Sequence, residues 1–222
     1  MFAGHIGAAL AIGRAERRVN VGIFIGAALL LDFLLWLFVL AGWESASIPS
    51  DFARTHQAEF AFPYTHGLLA SIAWSALAGV VVMWFQRLNQ REWRCAALVG
   101  AAVFSHWLLD ALVHKPELPL LGAGSPTVGF DLWQYMPVAL AVEGLIVALG
   151  VALFISGASL SRAKKFGLTA LCVLTYAFTV MGMTMAPPPP SVGAMAGGSL
   201  ATLIVVVAIA HWLGANPHET RV

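Results

Sequence analysis

Three carboxylates sit where an apolar chain should exclude them. Asp32, Asp110 and Glu143 each lie inside a long hydrophobic run, and His5, His66 and His106 lie in or at the ends of such runs. A charged side chain at the bilayer centre costs at least about 2–3 kcal/mol, so ionisable residues there face a bundle interior, pair with one another and mark function. His106 and Asp110 are spaced i, i+4, which stacks them on one helix face, one turn apart. Imidazole nitrogen beside carboxylate oxygen is a donor pair for zinc, or for a harder divalent ion such as manganese. His114 lies a further turn along nearly the same face, and the residues between are apolar: Trp107, Leu108, Leu109, Ala111 and Leu112.

Each of these residues also has a plainer role open to it. His66 fits an interfacial residue, Asp110 a hydrogen-bond partner that orients His106, Asp32 a helix-packing polar group, and His5 a residue near a terminus. Glu143 fits a ligand, a general base or a packing residue. His56, Glu59 and His114 are expected in outer loops, and His211 is expected to be structural. His218 belongs to the tail.

The chain that must position them has 222 residues, 59% hydrophobic and only 10% charged. Its mean hydropathy is +0.82. A soluble domain averages roughly 25% charged residues, so a soluble globular enzyme is excluded, and so are disordered and collagen-like chains. A net charge of +1 leaves no footprint for nucleic acid. The composition is that of an all-α, polytopic membrane helix bundle, and its length leaves no room for a separate soluble domain.

Ten of the twelve Lys and Arg fall in three clusters and at the C-terminus: Arg14, Arg17 and Arg18; Arg87, Arg91 and Arg94; Arg162, Lys164 and Lys165; and Arg221. Basic residues favour cytoplasmic loops, which puts these clusters and the C-terminus inside. Loops 43–63, 115–134 and 186–194 then face outward, bordered by Trp43, Tyr64, Trp133 and Tyr135 as an aromatic belt. Six full spans are expected, over residues 20–42, 64–86, 92–114, 135–157, 166–186 and 194–214. Residues 2–16 are apolar only to Gly13, about 20 Å of helix, which is short for a hydrocarbon core of about 30 Å. They are expected to form a short membrane helix or a thin seventh span. Residues 1–222 make one membrane domain, with a metal-site half over 1–157 and C-terminal helices over 166–214.

Depth along the helices brings the ionisable residues together. Counted from the nearest cytoplasmic arginine, His5 lies about 14 Å in, His106 about 18 Å, Asp32 about 20 Å and Asp110 about 24 Å. His66 starts near the outer face, and Glu143 lies about two turns below Tyr135. This points to one cluster in the outer half of the membrane. Pro187 to Pro190 mark an outer turn. The pairs Gly22/Gly26 and Gly193/Gly197 have the small-xxx-small spacing of close helix contacts. Cys95 and Cys172 suggest neither a disulfide nor a thiol site.

The order of motifs resembles a family of bacterial inner-membrane metal-dependent hydrolases, the LexA-binding, inner-membrane-associated hydrolase family. The matching stretches are Gly4-His5-Ile6-Gly7, Leu31-Asp32-Phe33, Thr65-His66-Gly67, and Ser105-His106 through Asp110. They span about the first 120 residues. The family often has Pro-Asp-x-Asp where this chain has the single acid Asp32, and a His-Arg pair where it has Phe62-Pro63. It also has serine where this chain has Gly67. These departures remove ligands and favour one metal over two or three. The resemblance implies a bacterial inner-membrane location and a hydrolase.

The expected activity is metal-dependent hydrolysis of an ester or phosphoester, with an amphiphilic or lipid-like substrate. His5, Asp32, His66, His106 and Asp110 would hold one divalent ion, zinc first, and Glu143 would shuttle the proton. The alternatives are a proton or metal-ion transporter, which also uses intramembrane acids and histidines, and a non-catalytic metal-binding assembly subunit. The expected partners are membrane lipids and, through the Gly-rich last helices, a second copy or another membrane subunit.

Overall fold

The structure, a computed structural model, describes residues 1–86 and 92–215; Arg87, Arg91, Arg221 and His218 lie outside them. Its helices are α1 (Ala3–Gly13), α2 (Val21–Ala28), α3 (Leu30–Ala41), α4 (Phe52–Thr55), α5 (Leu68–Gln86), α6 (Glu92–Val113), α7 (Met136–Gly157), α8 (Arg162–Thr184) and α9 (Val192–Gly214). Five of them, α5 to α9, are long and apolar enough to cross a membrane. The bent pair α2 and α3 passes the same test when taken together, so the described residues hold five such helices, or six when that pair is counted as one span. The all-α membrane bundle expected from composition is the fold the chain adopts.

Side-chain caps start the helices where the polar residues fall. Asn20 accepts from the Gly22 amide at 2.9 Å, Ser161 from Lys164 at 3.3 Å and Ser191 from Ala194 at 3.1 Å. Each satisfies an amide that has no partner within its helix. Gly42, at φ +75, ends α3 in the left-handed conformation that a Cβ would disfavour.

The expected span over 20–42 is not one rod. It bends by 47° between α2 and α3. No proline lies there, and the hinge residues Ala28, Leu29 and Leu30 carry no breaker signal. A bend in a membrane helix leaves backbone groups to be satisfied by other polar partners. Here the Ala28 carbonyl accepts from His106 Nδ1 at 2.7 Å. The break is thus stabilised by a residue 78 positions away.

With 11 residues, α1 is about 16 Å long, too short to span. It is instead inserted into the bundle against α7, α2 and α6. Glycines set two of the close approaches. A Cβ on Gly7 would lie 2.6 Å from the Ile146 carbonyl oxygen of α7, and one on Gly22 would strike the His211 backbone of α9. Gly26 meets Val207. The Gly22/Gly26 expectation therefore holds. The Gly193/Gly197 one does not: Gly197 has nothing within 4 Å, and Gly193 meets only its own Ser191. Their spacing fits a helix contact, but the neighbouring helices pack on other faces of α9.

The loops at one end of the bundle fold into two small ribbons. In the first, β1 (Ser45–Ser47) pairs antiparallel with β2 (Glu59–Ala61), Ser45 opposite Ala61. In the second, β3 (Leu118–Pro119) pairs with β4 (Thr127–Val128). A 3-10 turn, Leu132–Tyr135, leads into α7. Trp43, Tyr64 and Tyr135 are exposed there, as belt residues should be. The main core is apolar and joins α1, α2, α6 and α9 through residues such as Leu10, Phe24, Ile25, Val103 and Val206.

Candidate metal centre

Four elements bring ligand atoms together in two overlapping groups. His106 and Asp110 lie on consecutive turns near the end of α6, with His106 Nε2 3.1 Å from Asp110 Oδ2. His66 sits in the turn before α5, fixed by its amide on the Phe62 carbonyl at 3.1 Å. Asp32 lies in the first turn of α3, just past the bend. His66 Nε2 is 3.1 Å from His106 Nε2 and 3.5 Å from Asp110 Oδ2. Asp32 Oδ1 is 3.6 Å from both histidine Nε2 atoms. A tetrahedral site with bonds of roughly 2.0–2.2 Å has edges of about 3.3–3.6 Å. The His66–Asp110 distance and the two Asp32–histidine distances, 3.5–3.6 Å, fall in that range, and the two 3.1 Å distances lie just under it.

The hydrogen bonds on the far side of each ring fix which nitrogen is free. A carbonyl only accepts, so His106 Nδ1 carries its proton towards Ala28. Thr65 Oγ1 donates to Glu44 Oε2 at 2.8 Å, so it accepts from His66 Nδ1, also at 2.8 Å. In neutral histidine the other nitrogen is then a lone pair. With both rings neutral, the two Nε2 lone pairs face each other at 3.1 Å beside the Asp32 and Asp110 carboxylates. Acceptors cannot satisfy one another; a metal cation among them, or a proton on one Nε2, can. Rings held through Nδ1 to a carbonyl or a carboxylate relay are the usual second layer of a metal site.

His5 completes the wall. Its ring stacks on His106 with centroids 3.7 Å apart and 8° between planes. His5 Nε2 lies 3.2 Å from Asp110 Oδ1, and both ring nitrogens are buried with no hydrogen bond among the described residues. The Asp110 carboxylate is therefore divided: Oδ2 faces His66 and His106, while Oδ1 faces His5 and the Met1 amino group, the latter at 2.9 Å. The ligand atoms group as His66, His106 and Asp110, and as His5, Asp32 and His106, sharing His106.

The sequence places Glu143 near this set, and the structure puts it alongside. Its Oε1 accepts from the Gly4 amide at 2.9 Å, in the first turn of α1. It thereby holds the helix that carries His5. Asp32 and Glu143 both line a cleft of about 490 Å³. His5, His66, His106 and Asp110 are buried, whereas Asp32 is 24% exposed. The accessible side of the cluster is the Asp32 side.

His114, expected in an outer loop, is buried at the end of α6. Its Nδ1 is 2.6 Å from Glu117 Oε1, its Nε2 is 3.9 Å from Asp110 Oδ2, and its ring lies on Trp133 at 4.3 Å. His56 remains in the loop, with Nδ1 2.9 Å from the Ala186 carbonyl. Glu59 also remains there and pairs with Lys115.

Sequence reasoning missed Glu44, which it assigned to a loop. Glu44 is buried, and its carboxylate collects the Tyr64 amide at 2.8 Å, the Thr65 amide at 2.9 Å and the Thr65 hydroxyl. Burial pushes its pKa above the ordinary carboxylate value, and the Thr65 hydroxyl and the two amides oppose the rise. Pairing of Ser45 with Ala61 brings residue 44 beside residue 65. Only that register could have revealed it.

No protein-family model, curated protein or solved structure matches the chain. The fold and the cluster are what bear on function.

Proposed function

We propose that this chain is a membrane-embedded metal-dependent hydrolase that cleaves an ester or phosphoester in an amphiphilic, lipid-like substrate. The observation that carries the proposal is a buried His/Asp cluster with ligand atoms close enough to share an ion, whose accessible edge, Asp32, opens with Glu143 onto a cleft. His66, His106 and Asp110 would hold the ion, zinc by donor chemistry, with His5 packed against them. A catalytic zinc site keeps three protein ligands and one open position, and the Asp32 side is where that position would lie. A bound divalent ion supplies a Lewis acid and brings water at the site towards ionisation near neutral pH.

The chain's own groups do the rest. Asp32 orients the water at the cleft. Glu143 takes its proton as the water oxygen bonds to the carbonyl carbon or phosphorus. The ester bond then breaks, and Glu143 returns the proton to the departing alcohol. Arg14, Arg17, Arg18 and the other basic clusters favour a cytoplasmic C-terminus, with the site in the outer half of a bacterial inner membrane.

The transport alternative needs a polar path onward from the cluster. The bundle below it is instead filled by Leu10, Phe24, Ile25, Val99 and Val103, which favours an enzyme. The test is Glu143→Gln. It should keep stoichiometric metal yet lower turnover of lipid esters or phosphoesters by about 10²–10⁴-fold, as loss of a general acid–base does. Unchanged turnover, or wild-type protein that moves metal into proteoliposomes without hydrolysis, would overturn the proposal.

A further inference from the structure

The cleft at Asp32 and Glu143 continues between α8 and α9, and those walls have their own chemistry. Phe178 and Gly182 face it from α8, and Met195 and Gly198 from α9. Thr179 and Thr202 also line it, but their hydroxyls are turned back to their own helices. Thr179 Oγ1 donates to the Thr175 carbonyl at 3.0 Å, and Thr202 Oγ1 to the Gly198 carbonyl at 2.8 Å. A hydroxyl satisfied this way leaves its methyl group for the cleft. Among the described residues nothing lies within 4 Å of a Cβ added at Gly182 or Gly198, which leaves space beside them. The neighbouring Met181 is exposed, apolar and on a membrane-spanning helix, and Met185, exposed, follows its last residue, which places lipid beside this wall.

The cleft therefore has two ends of opposite character. Asp32 and Glu143 supply charge at one end, and hydrocarbon, glycine and methyl groups, with the single hydroxyl of Ser199, line the other. Its volume, about 490 Å³, falls within the roughly 300–1,000 Å³ of small-molecule sites. We propose that the α8–α9 part of the cleft binds one hydrocarbon chain of an amphiphile, entering sideways from the bilayer, and so delivers its head-group linkage to Asp32 and Glu143. As a statement about substrate, this rests on the hydrolase reading. As a statement about binding, it stands on the cleft alone.

The experiment uses the full chain in vesicles containing a phospholipid with a photoreactive diazirine near the end of its acyl tail. Peptide mapping after illumination should find label concentrated in residues 178–183 and 194–203, above that on the lipid-facing side of α5. In Gly182→Leu and Gly198→Leu, whose side chains fill the open space, cleft labelling should fall by about tenfold or more, as losing the burial of two methylene groups requires. Metal content and thermal stability of these variants should match wild type. Label spread evenly over lipid-facing helices, or cleft labelling unchanged in both variants, would overturn the site. The same variants are then assayed on a short-chain and a long-chain ester of one head group. Loss confined to the long chain ties the site to turnover. Cleft labelling without hydrolysis by wild type would leave the chain site standing and sink the hydrolase reading.

Discussion

Thr65 has no place for a metal in its chemistry, yet replacing it should weaken metal binding. Thr65→Val keeps the side chain's shape and removes one oxygen from a fully buried site. His66 Nδ1 then loses its acceptor at 2.8 Å, and Glu44 Oε2 loses its donor. A buried polar group left unpaired costs about 1–3 kcal/mol. The ring can relieve that cost by moving its proton to Nε2, the atom that should face the ion. Metal binding must reverse the shift, so its affinity should fall by about 10–100-fold, as for other second-layer partners of ligand histidines. That equals about 1.4–2.8 kcal/mol, within the range of the lost hydrogen bond. The assay is competition for zinc against a chromophoric chelator in detergent. His66→Ala serves as the ligand-loss control, Thr65→Ser should bind close to wild type, and a melting curve should verify folding. If Thr65→Val binds zinc as wild type does while His66→Ala does not, the Glu44–Thr65–His66 relay has no hold on the site.

Gly22→Ala should lower stability in detergent by about 1–3 kcal/mol, because the new methyl meets backbone that cannot turn aside. Gly197→Ala, with open space around it, should be neutral or slightly stabilising by helix propensity. Equal melting shifts for the two would contradict the α2–α9 packing. Glu16 is buried and paired with Arg18 at 2.7 Å, and the Arg18 guanidinium holds its carboxyl below the ordinary 4.5. A lowered acid stabilises the fold above its unfolded value and loses that contribution as pH falls through the native one. The melting-temperature gap between wild type and Arg18→Ala, both stripped of metal, should therefore be constant near neutrality. It should start to close below about pH 4.5 and vanish under the native value. A gap that widens on acidification would refute the pair's role.

What was legible in the sequence was whatever depended on one helix at a time. His106 and Asp110 announce themselves by their i, i+4 spacing, and hydropathy delimits α5 to α9 because each carries its own apolar run. Asp32 and His66 could be placed by depth alone, since each helix is a ruler of fixed pitch. The bend at Leu29 could not. Ala28 and Leu30 are good helix formers, and the break is held by His106 from another helix. Glu44 was hidden for the same reason: it joins the site through a three-residue ribbon whose pairing no local signal encodes. His114 was misplaced because it lies one residue past α6, where sequence shows a boundary but not the Trp133 ring and Glu117 carboxylate that cover it. Gly193 and Gly197 show the converse error, a local motif with no neighbour to use it.

A divalent ion held by His66, His106 and Asp110 should stay with the protein through purification. The most direct measurement is elemental analysis of protein purified without chelators, wild type beside His106→Ala, Asp110→Ala and Glu143→Gln. The arrangement of lone pairs predicts one ion per chain in wild type and in Glu143→Gln, and a loss of most of it in the other two. Wild-type protein that carries no stoichiometric metal even after zinc is supplied would rule out an ion at this cluster, and so would metal retained in full by both His106→Ala and Asp110→Ala.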